Sequence, residues 1–274
     1  MKKYLKILAG LVAIAILGLA CDFVLYLRYQ PVDCGDRYTL TGGRIVSETF
    51  VQTRKCLARF KAEKKTFVVK DSEGGDGFAA LAMGILLHQH NWDVEVVGVC
   101  PSSCANWLFT AGKTKYLTSD SLLLFHGGPR QKNMLEFMEK LDHDLASGTP
   151  VDSMKFGREG KEGNVTWGPH RSAADDEVLE FLSINKDLPV VEKWRQFMQA
   201  SDKFYQELGI NPLLPEYGQM GGYEPSYKSD KYGGFVYSLD SLRKLGVRNI
   251  ELKDGEWHPE RNPAYPDVYE VTYP

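Results

Sequence analysis

The sequence has little net charge and few cysteines, and each scarcity narrows what the chain can do. Its 33 lysines and arginines stand against 36 aspartates and glutamates, a net charge of −3. Four of the bases (Lys2, Lys3, Lys6 and Arg28) and one acid (Asp22) fall in the first 30 residues, so the remainder carries about −6. An acidic body without a basic, aromatic-interleaved stripe predicts no nucleic-acid partner, because phosphate binding is driven by clustered Lys and Arg. There is no nucleotide motif and no internal repeat, and the sequence implies no cofactor and no metal. Of the five cysteines, Cys100 and Cys104 are three residues apart rather than the two of a thioredoxin motif. No second pair or nearby histidine pair completes four zinc ligands.

The longest hydrophobic run is at the start of the chain. Lys2, Lys3 and Lys6 precede an apolar stretch from Ile7 to Leu27, interrupted only by Asp22 and closed by Arg28. About 20 apolar residues span a bilayer, and the lysines hold the N-terminus in the cytoplasm. Residues 1–30 therefore read as a membrane anchor through residues 7–27, with the body in the periplasm. A cleaved signal peptide competes, since Ile7–Ala20 alone could serve as its apolar core. So does a lipoprotein signal at Gly18-Leu19-Ala20-Cys21. In each case the body is exported. In an oxidising compartment Cys34, Cys56, Cys100 and Cys104 suggest two disulfides. Local pairing, 34 with 56 and 100 with 104, is the simplest arrangement, although spacing leaves the connectivity open.

Strand and helix patterns then alternate. Gly42–Val46 reads as a turn and short strand, and Glu48–Ala62 has helical spacing of apolar residues. Thr66–Lys70 reads as a strand, followed by the glycine-rich turn Asp71–Gly77. Asp76 is placed to cap the next helix, and Val94–Val99 is the next strand. This is the pattern of a layered α/β domain with right-handed crossovers. Residues 130–150 look helical and charged, 150–172 read as a loop or lid, and 174–208 return to helix. Residues 209–234, rich in Gly, Pro and Tyr, read as irregular. Phe235–Tyr237 is a short strand, Ser238 caps a helix, Val247–Leu252 is the last strand, and the proline-rich tail is extended.

The chemistry gathers in Val94–Gly128. An apolar strand leads into Cys100-Pro101-Ser102-Ser103-Cys104, and the small, apolar residues Cys104–Phe109 suit a buried helix. Leu122–Phe125 then delivers His126 into a Gly-Gly turn. A serine hydroxyl is a poor nucleophile until a nearby imidazole takes its proton, and a helix N-terminus offers free N–H groups to a developing oxyanion.

In this order the turn Ser72-Glu73-Gly74-Gly75, the segment CPSSCANWLFTAG and the segment LLLFHGG resemble the Clp protease/crotonase superfamily. The nearest likeness is to its exported ClpP-like branch, which includes the signal peptide peptidase A type. The resemblance covers about 42–128 and 205–252, where YSLDSLRKLGVRNIEL is similar to the family's late helix and strand. It implies an α/β spiral of β-β-α units with a helical insertion or lid. The chain then divides into an anchor (1–30), the first part of the core (31–128), an insertion (129–204), the last part of the core (205–257) and a tail (258–274). It implies a serine peptidase that acts on a peptide or protein and assembles as a homo-oligomer.

Carried over residue by residue, Ser102 matches the nucleophile and His126 the general base. The N–H groups of Gly75 and Ser103 match the oxyanion hole, with Gly74 beside them. A one-residue shift in the alignment would exchange the roles of Ser102 and Ser103. Glu73 replaces the family's proline. Gly234 stands where the third, acidic member of the triad belongs; Asp230 is the nearest substitute, with Asp175 and Asp176 behind it. The alternatives are a catalytically degenerate scaffold used for assembly or binding, acyl-thioester chemistry of the crotonase type, and a redox role for Cys100 and Cys104.

Overall fold

The computed structural model describes residues 32–33, 38–59, 65–147, 156–158, 161–163, 172–229 and 231–274. The segment 1–30, Cys34 and Asp230 lie outside these. No helix among the described residues is long and apolar enough to cross a membrane.

The first half of the chain alternates strands and helices. β1 (Val32–Asp33), β2 (Tyr38–Thr41), α1 (Ser47–Arg59), β3 (Thr66–Lys70), α2 (Gly77–Gln89) and β4 (Asp93–Val97) come first. β5 (Val99–Pro101), a π-helix (Cys104–Phe109), β6 (Lys115–Leu117) and β7 (Leu122–Leu124) follow. Next are α3 (Lys132–Ala146), the hairpin β8 (Phe156–Arg158) and β9 (Lys161–Gly163), α4 (Ala173–Phe181) and α5 (Val190–Leu208). The last elements are α6 (Glu224–Lys228), β10 (Gly234–Tyr237), α7 (Leu239–Lys244), β11 (Ile250–Leu252) and β12 (Val268–Val271).

This is a mixed α/β protein with a mostly parallel central sheet. The six-stranded sheet runs β1-β2-β3-β4-β6-β11; the β1–β2 pair is antiparallel and every other pair parallel. Parallel strands need both faces covered, which is why β3 and β4 read as near-continuous Val runs. A second layer consists of two parallel pairs, β5–β7 and β10–β12. It is joined by an antiparallel bridge between Phe125 and Phe235.

The chain passes from the first layer to the second at Gly98 (φ 71°), between β4 and β5. A Cβ there would lie 1.8 Å from Asp71 Oδ1, so only glycine fits the bend. β6 and β7 repeat the crossing four residues apart, and Leu122 N–H donates to the Gly98 carbonyl at 2.8 Å.

α2 explains how the layers close. Its sequence GFAALAMGILLHQ carries no charged residue in its interior, so it is apolar all round and buried. Asp76 caps it by accepting from Ala79 N–H at 2.8 Å. Gly84 lets the helix approach the π-helix: a Cβ there would stand 2.6 Å from the Trp107 carbonyl.

Residues 129–204, expected as an insertion or lid, contribute to the same hydrophobic core as the sheet. Phe50 of α1 packs on Phe181 of α4 with ring centroids 5.0 Å apart. Trp107 donates its indole N–H to Ser201 Oγ and meets the Phe197 ring edge-on. Phe197 is only 1% exposed, and deleting such a ring costs about 3–5 kcal/mol; α5 is therefore a wall of the core. The expected helix over 174–208 is two helices, broken where Ser183 adopts φ 58° and Pro189 precedes α5. The expected extended tail includes β12, which pairs with β10 and buries Val271.

Candidate active site

Three chain segments meet at the C-terminal ends of the parallel strands. The first follows β3. Gly74 N–H donates to Ser72 Oγ at 3.1 Å, and the Gly74 carbonyl accepts from Ile45 N–H at 2.7 Å. Asp76 N–H donates to the Ile45 carbonyl at 2.8 Å. These two bonds flank Gly75, so its own N–H points away from Ile45; among the described residues it donates to no acceptor. Gly75 has φ 143°, and a Cβ on it would lie 2.2 Å from the Ile45 carbonyl. Glycine is demanded here on both counts.

The second segment joins β5 to the π-helix. Ser102 has φ 56°, a left-handed conformation that costs a non-glycine residue roughly 1–2 kcal/mol. Its backbone is held on both sides: its N–H donates to the Leu124 carbonyl at 2.8 Å, and its carbonyl accepts from Asn106 N–H at 2.9 Å. The Ser102 side chain is half-exposed. Ser103, by contrast, is 2% exposed and its Oγ is buried with no hydrogen-bond partner. Of the two serines, Ser102 is the one a substrate can reach. Ser103 stands in the first helical turn, where N–H groups have no intrahelical partner, and its N–H finds no other acceptor among the described residues.

The Gly74 turn and the Ser102 turn touch. A Cβ at Gly74 would be 2.7 Å from the Pro101 carbonyl, 2.9 Å from Ser102 Cβ and 3.4 Å from Ser103 Oγ. The backbone of residues 74–75 therefore lies directly against the nucleophile candidate. A disulfide joins Cys100 to Cys104 across this turn, and both cysteines are fully buried. Cys56 is likewise oxidised to a disulfide; Cys34 lies outside the described residues.

The third segment follows β7. The β5–β7 register pairs Pro101 with Leu124, so the chain reaches His126 two residues beyond the pair, at the same end as Ser102. Adjacent strands lie about 4.8 Å apart. His126 is exposed, and its peptide follows the bridge in which Phe125 and Phe235 exchange N–H···O bonds of 2.7 and 2.8 Å.

Gly234 is adjacent to this histidine: a Cβ on it would lie 3.2 Å from His126 Cβ but only 2.4 Å from the Phe125 carbonyl. The backbone leaves no room for an acid at position 234. Asp230 is outside the described residues. Asp175 and Asp176 are engaged elsewhere, Asp175 in the cap of α4 and with Ser47 Oγ at 2.5 Å, Asp176 with Lys186 at 3.0 Å.

Sequence reasoning missed the groups behind the histidine. The carbonyl of His126 accepts from Gln219 Nε2 at 2.6 Å, that of Gly127 from Asn106 Nδ2 at 2.9 Å, and that of Pro129 from Trp194 Nε1 at 3.1 Å. Arg130 N–H donates to Glu216 Oε1 at 3.1 Å. Glu216 is 2% exposed, and burial pushes its carboxyl up to about 7 against the opposing pull of Arg130. Arg130 itself is ion-paired with Asp202. The one available signal was compositional: a lone Asn in CANWLFTA and a lone acid in LLPEYG. Among the described residues no three His, Cys, Asp or Glu side chains converge as a metal site would require.

No protein-family model matches the chain, and no curated protein matches it.

Proposed function

We propose that this chain is a serine hydrolase, a peptidase, with Ser102 as nucleophile and His126 as general base. The observation that carries the reading is the backbone of Ser102. A left-handed serine at the end of a strand, opening a helix and register-aligned with a strand that ends in histidine, is held at the half-buried end of that ladder at a cost in strain. Strain of this kind concentrates at functional sites.

The chemistry follows from the neighbours. His126 takes the Ser102 proton as Oγ attacks the carbonyl carbon of an amide or ester. The oxyanion lies between the uncommitted N–H groups of Gly75 and Ser103, and each such donor is worth about 10²–10³ in rate. The protonated imidazole returns its proton to the leaving amine, and a water then releases the acyl group. The two-layer arrangement, with strands that cross from one sheet to the other at Gly98 and between β6 and β7, supports a ClpP/crotonase-like spiral of β-β-α units. Export to a periplasmic space is supported by the Lys-flanked run 7–27 and the Cys100–Cys104 disulfide. The proposed substrate is a peptide segment, and the proposed assembly is a homo-oligomer, as in the family the sequence resembles.

A second reading is favoured by Gly234, which stands where the resemblance places the acid: a degenerate scaffold that binds without cleaving. Fluorophosphonate labelling separates the two. The hydrolase reading expects covalent labelling that disappears in both Ser102→Ala and His126→Ala. A folded protein that does not label, or that labels equally after Ser102→Ala, overturns it.

A further inference from the structure

We propose that Asn106 is the positioning residue that couples the nucleophile turn to the base loop, a role that rests on the Ser102–His126 reading above. Asn106 touches both halves of the site. Its backbone N–H donates to the Ser102 carbonyl at 2.9 Å, and its side-chain Nδ2 donates to the Gly127 carbonyl at 2.9 Å, one residue past His126. The first contact is the backbone's, which places residue 106 one helical turn from the serine; the second is the side chain's, and only an amide at this position supplies it.

The helix containing Asn106 explains why it can. Residues Cys104–Phe109 form a π-helix, whose wider turn leaves carbonyls off the ordinary ladder; such segments recur at functional sites. The Asn106 carbonyl accepts from Tyr205 Oη at 2.9 Å and from Thr110 Oγ1 at 2.5 Å. Tyr205 is 2% exposed and anchored on α5. The Asn106 backbone is thus pinned from the core side while its amide reaches outward to the base loop. Gln219, Trp194 and Glu216 hold the His126 carbonyl, the Pro129 carbonyl and the Arg130 N–H, and each of them comes from the C-terminal half of the chain. Asn106 ties the loop after His126 to the helix that opens at Ser102, beyond the point where the Ser102–Leu124 bond fixes the strand before it.

A purely structural asparagine is a poor explanation for this placement. Asn106 is 1% exposed and its Oδ1 is buried with no hydrogen-bond partner. An unsatisfied buried acceptor costs about 1–3 kcal/mol; an apolar side chain of similar shape would remove that cost but leave the buried Gly127 carbonyl unpaired at a cost of about the same size, so the amide brings the fold little net stability. What the amide supplies is the Gly127 bond.

The test is Asn106→Leu, with Asn106→Ala as a second variant, read by melting, labelling and amide exchange on the purified full-length protein. Expected are a melting temperature for Asn106→Leu within a few degrees of wild type, a fluorophosphonate labelling rate lower by about tenfold or more, and a shifted midpoint in the pH profile of labelling. Amide hydrogen exchange at Gly127–Arg130 is expected to rise about tenfold in both variants, with the sheet unchanged. Labelling of Asn106→Leu at the wild-type rate and midpoint overturns the proposal. If wild type does not label at all, the hydrolase reading fails first. Exchange then decides the coupling: unaltered protection of Gly127–Arg130 overturns it, and raised exchange upholds it.

Discussion

The backbone N–H of Ser102 donates to the carbonyl of Leu124 at 2.8 Å. This bond extends the β5–β7 ladder one step beyond its last paired residues and ties the serine to the strand that ends in His126. Serine and histidine are 24 positions apart in sequence, yet this bond lands two residues before His126 and brings the two backbones to the same end of the sheet.

Ser102→Gly is expected to raise stability by about 0.5–1 kcal/mol, because glycine adopts φ 56° without strain. Ser102→Ala, which keeps the strain, is expected to melt within a degree or two of wild type. Both abolish labelling. Denaturant unfolding of the two variants checks the ordering, and equal stabilities would show that the turn is relaxed in solution.

Gly74→Ala drives a methyl to 2.7 Å from the Pro101 carbonyl and 2.9 Å from Ser102 Cβ. Labelling is expected to fall by about 10² or more through displacement of the serine, accompanied by a loss of roughly 1–3 kcal/mol. Labelling kinetics beside a thermal melt separate the two effects.

Gly234→Asp tests whether a triad acid can be restored beside His126. The Cβ would meet the Phe125 carbonyl at 2.4 Å, so the variant is expected to lose about 2 kcal/mol or more and to label no faster than wild type. A faster-labelling Gly234→Asp would mean that β10 can shift to admit the acid.

Glu216 makes stability depend on pH in a defined direction. Its carboxyl is pushed up to about 7 by burial, from an ordinary value of 4.5. Arg130 and Asp202 are the charged groups that act on it, and Tyr205 and Tyr237 are buried close by. Between pH 4.5 and 7 the unfolded chain releases a proton that the folded protein keeps, so this group's contribution falls as pH rises through that window. Glu216→Gln stays neutral. It is expected to match wild type near pH 4.5 and to exceed it at pH 8 by up to roughly 3 kcal/mol. Parallel stability profiles for the two proteins from pH 4.5 to 8 would contradict this.

Removing the Cys100–Cys104 disulfide in a double alanine variant opens a loop of only a few residues. Chain-entropy arguments put the cost at about 2 kcal/mol. Because the bridge spans the Ser102 turn, labelling is expected to fall more steeply than stability, as measured on the folded variant well below its melting point.

Much of the fold was legible where burial imposes a strong pattern. β3, β4 and β7 are Val- or Leu-rich runs with no competing period, and α2 announces itself by its capping Asp76 and an uncharged apolar stretch. β6 was invisible because it is three residues, KYL, with a buried lysine whose Nζ is satisfied by the carbonyls of Gly112 and Arg248. β12 was hidden in a segment of prolines and tyrosines whose burial depends wholly on pairing with β10.

The site divides along the same line. Ser102, His126 and the two glycines are of residue types that the proposed chemistry requires, so a motif marks them. Asn106, Gln219 and Glu216 act on backbone atoms, which look alike in every residue, and no spacing rule points to them.

β12 gives the molecule an order in time. The peptide before His126 is steadied by Phe235 on β10, and β10 lies against β12 at residues 268–271. A chain made N-terminus first has residues 74, 102 and 126 synthesised long before β12 emerges. The backbone beside His126 gains the support of the β10–β12 pair only once translation has passed residue 271.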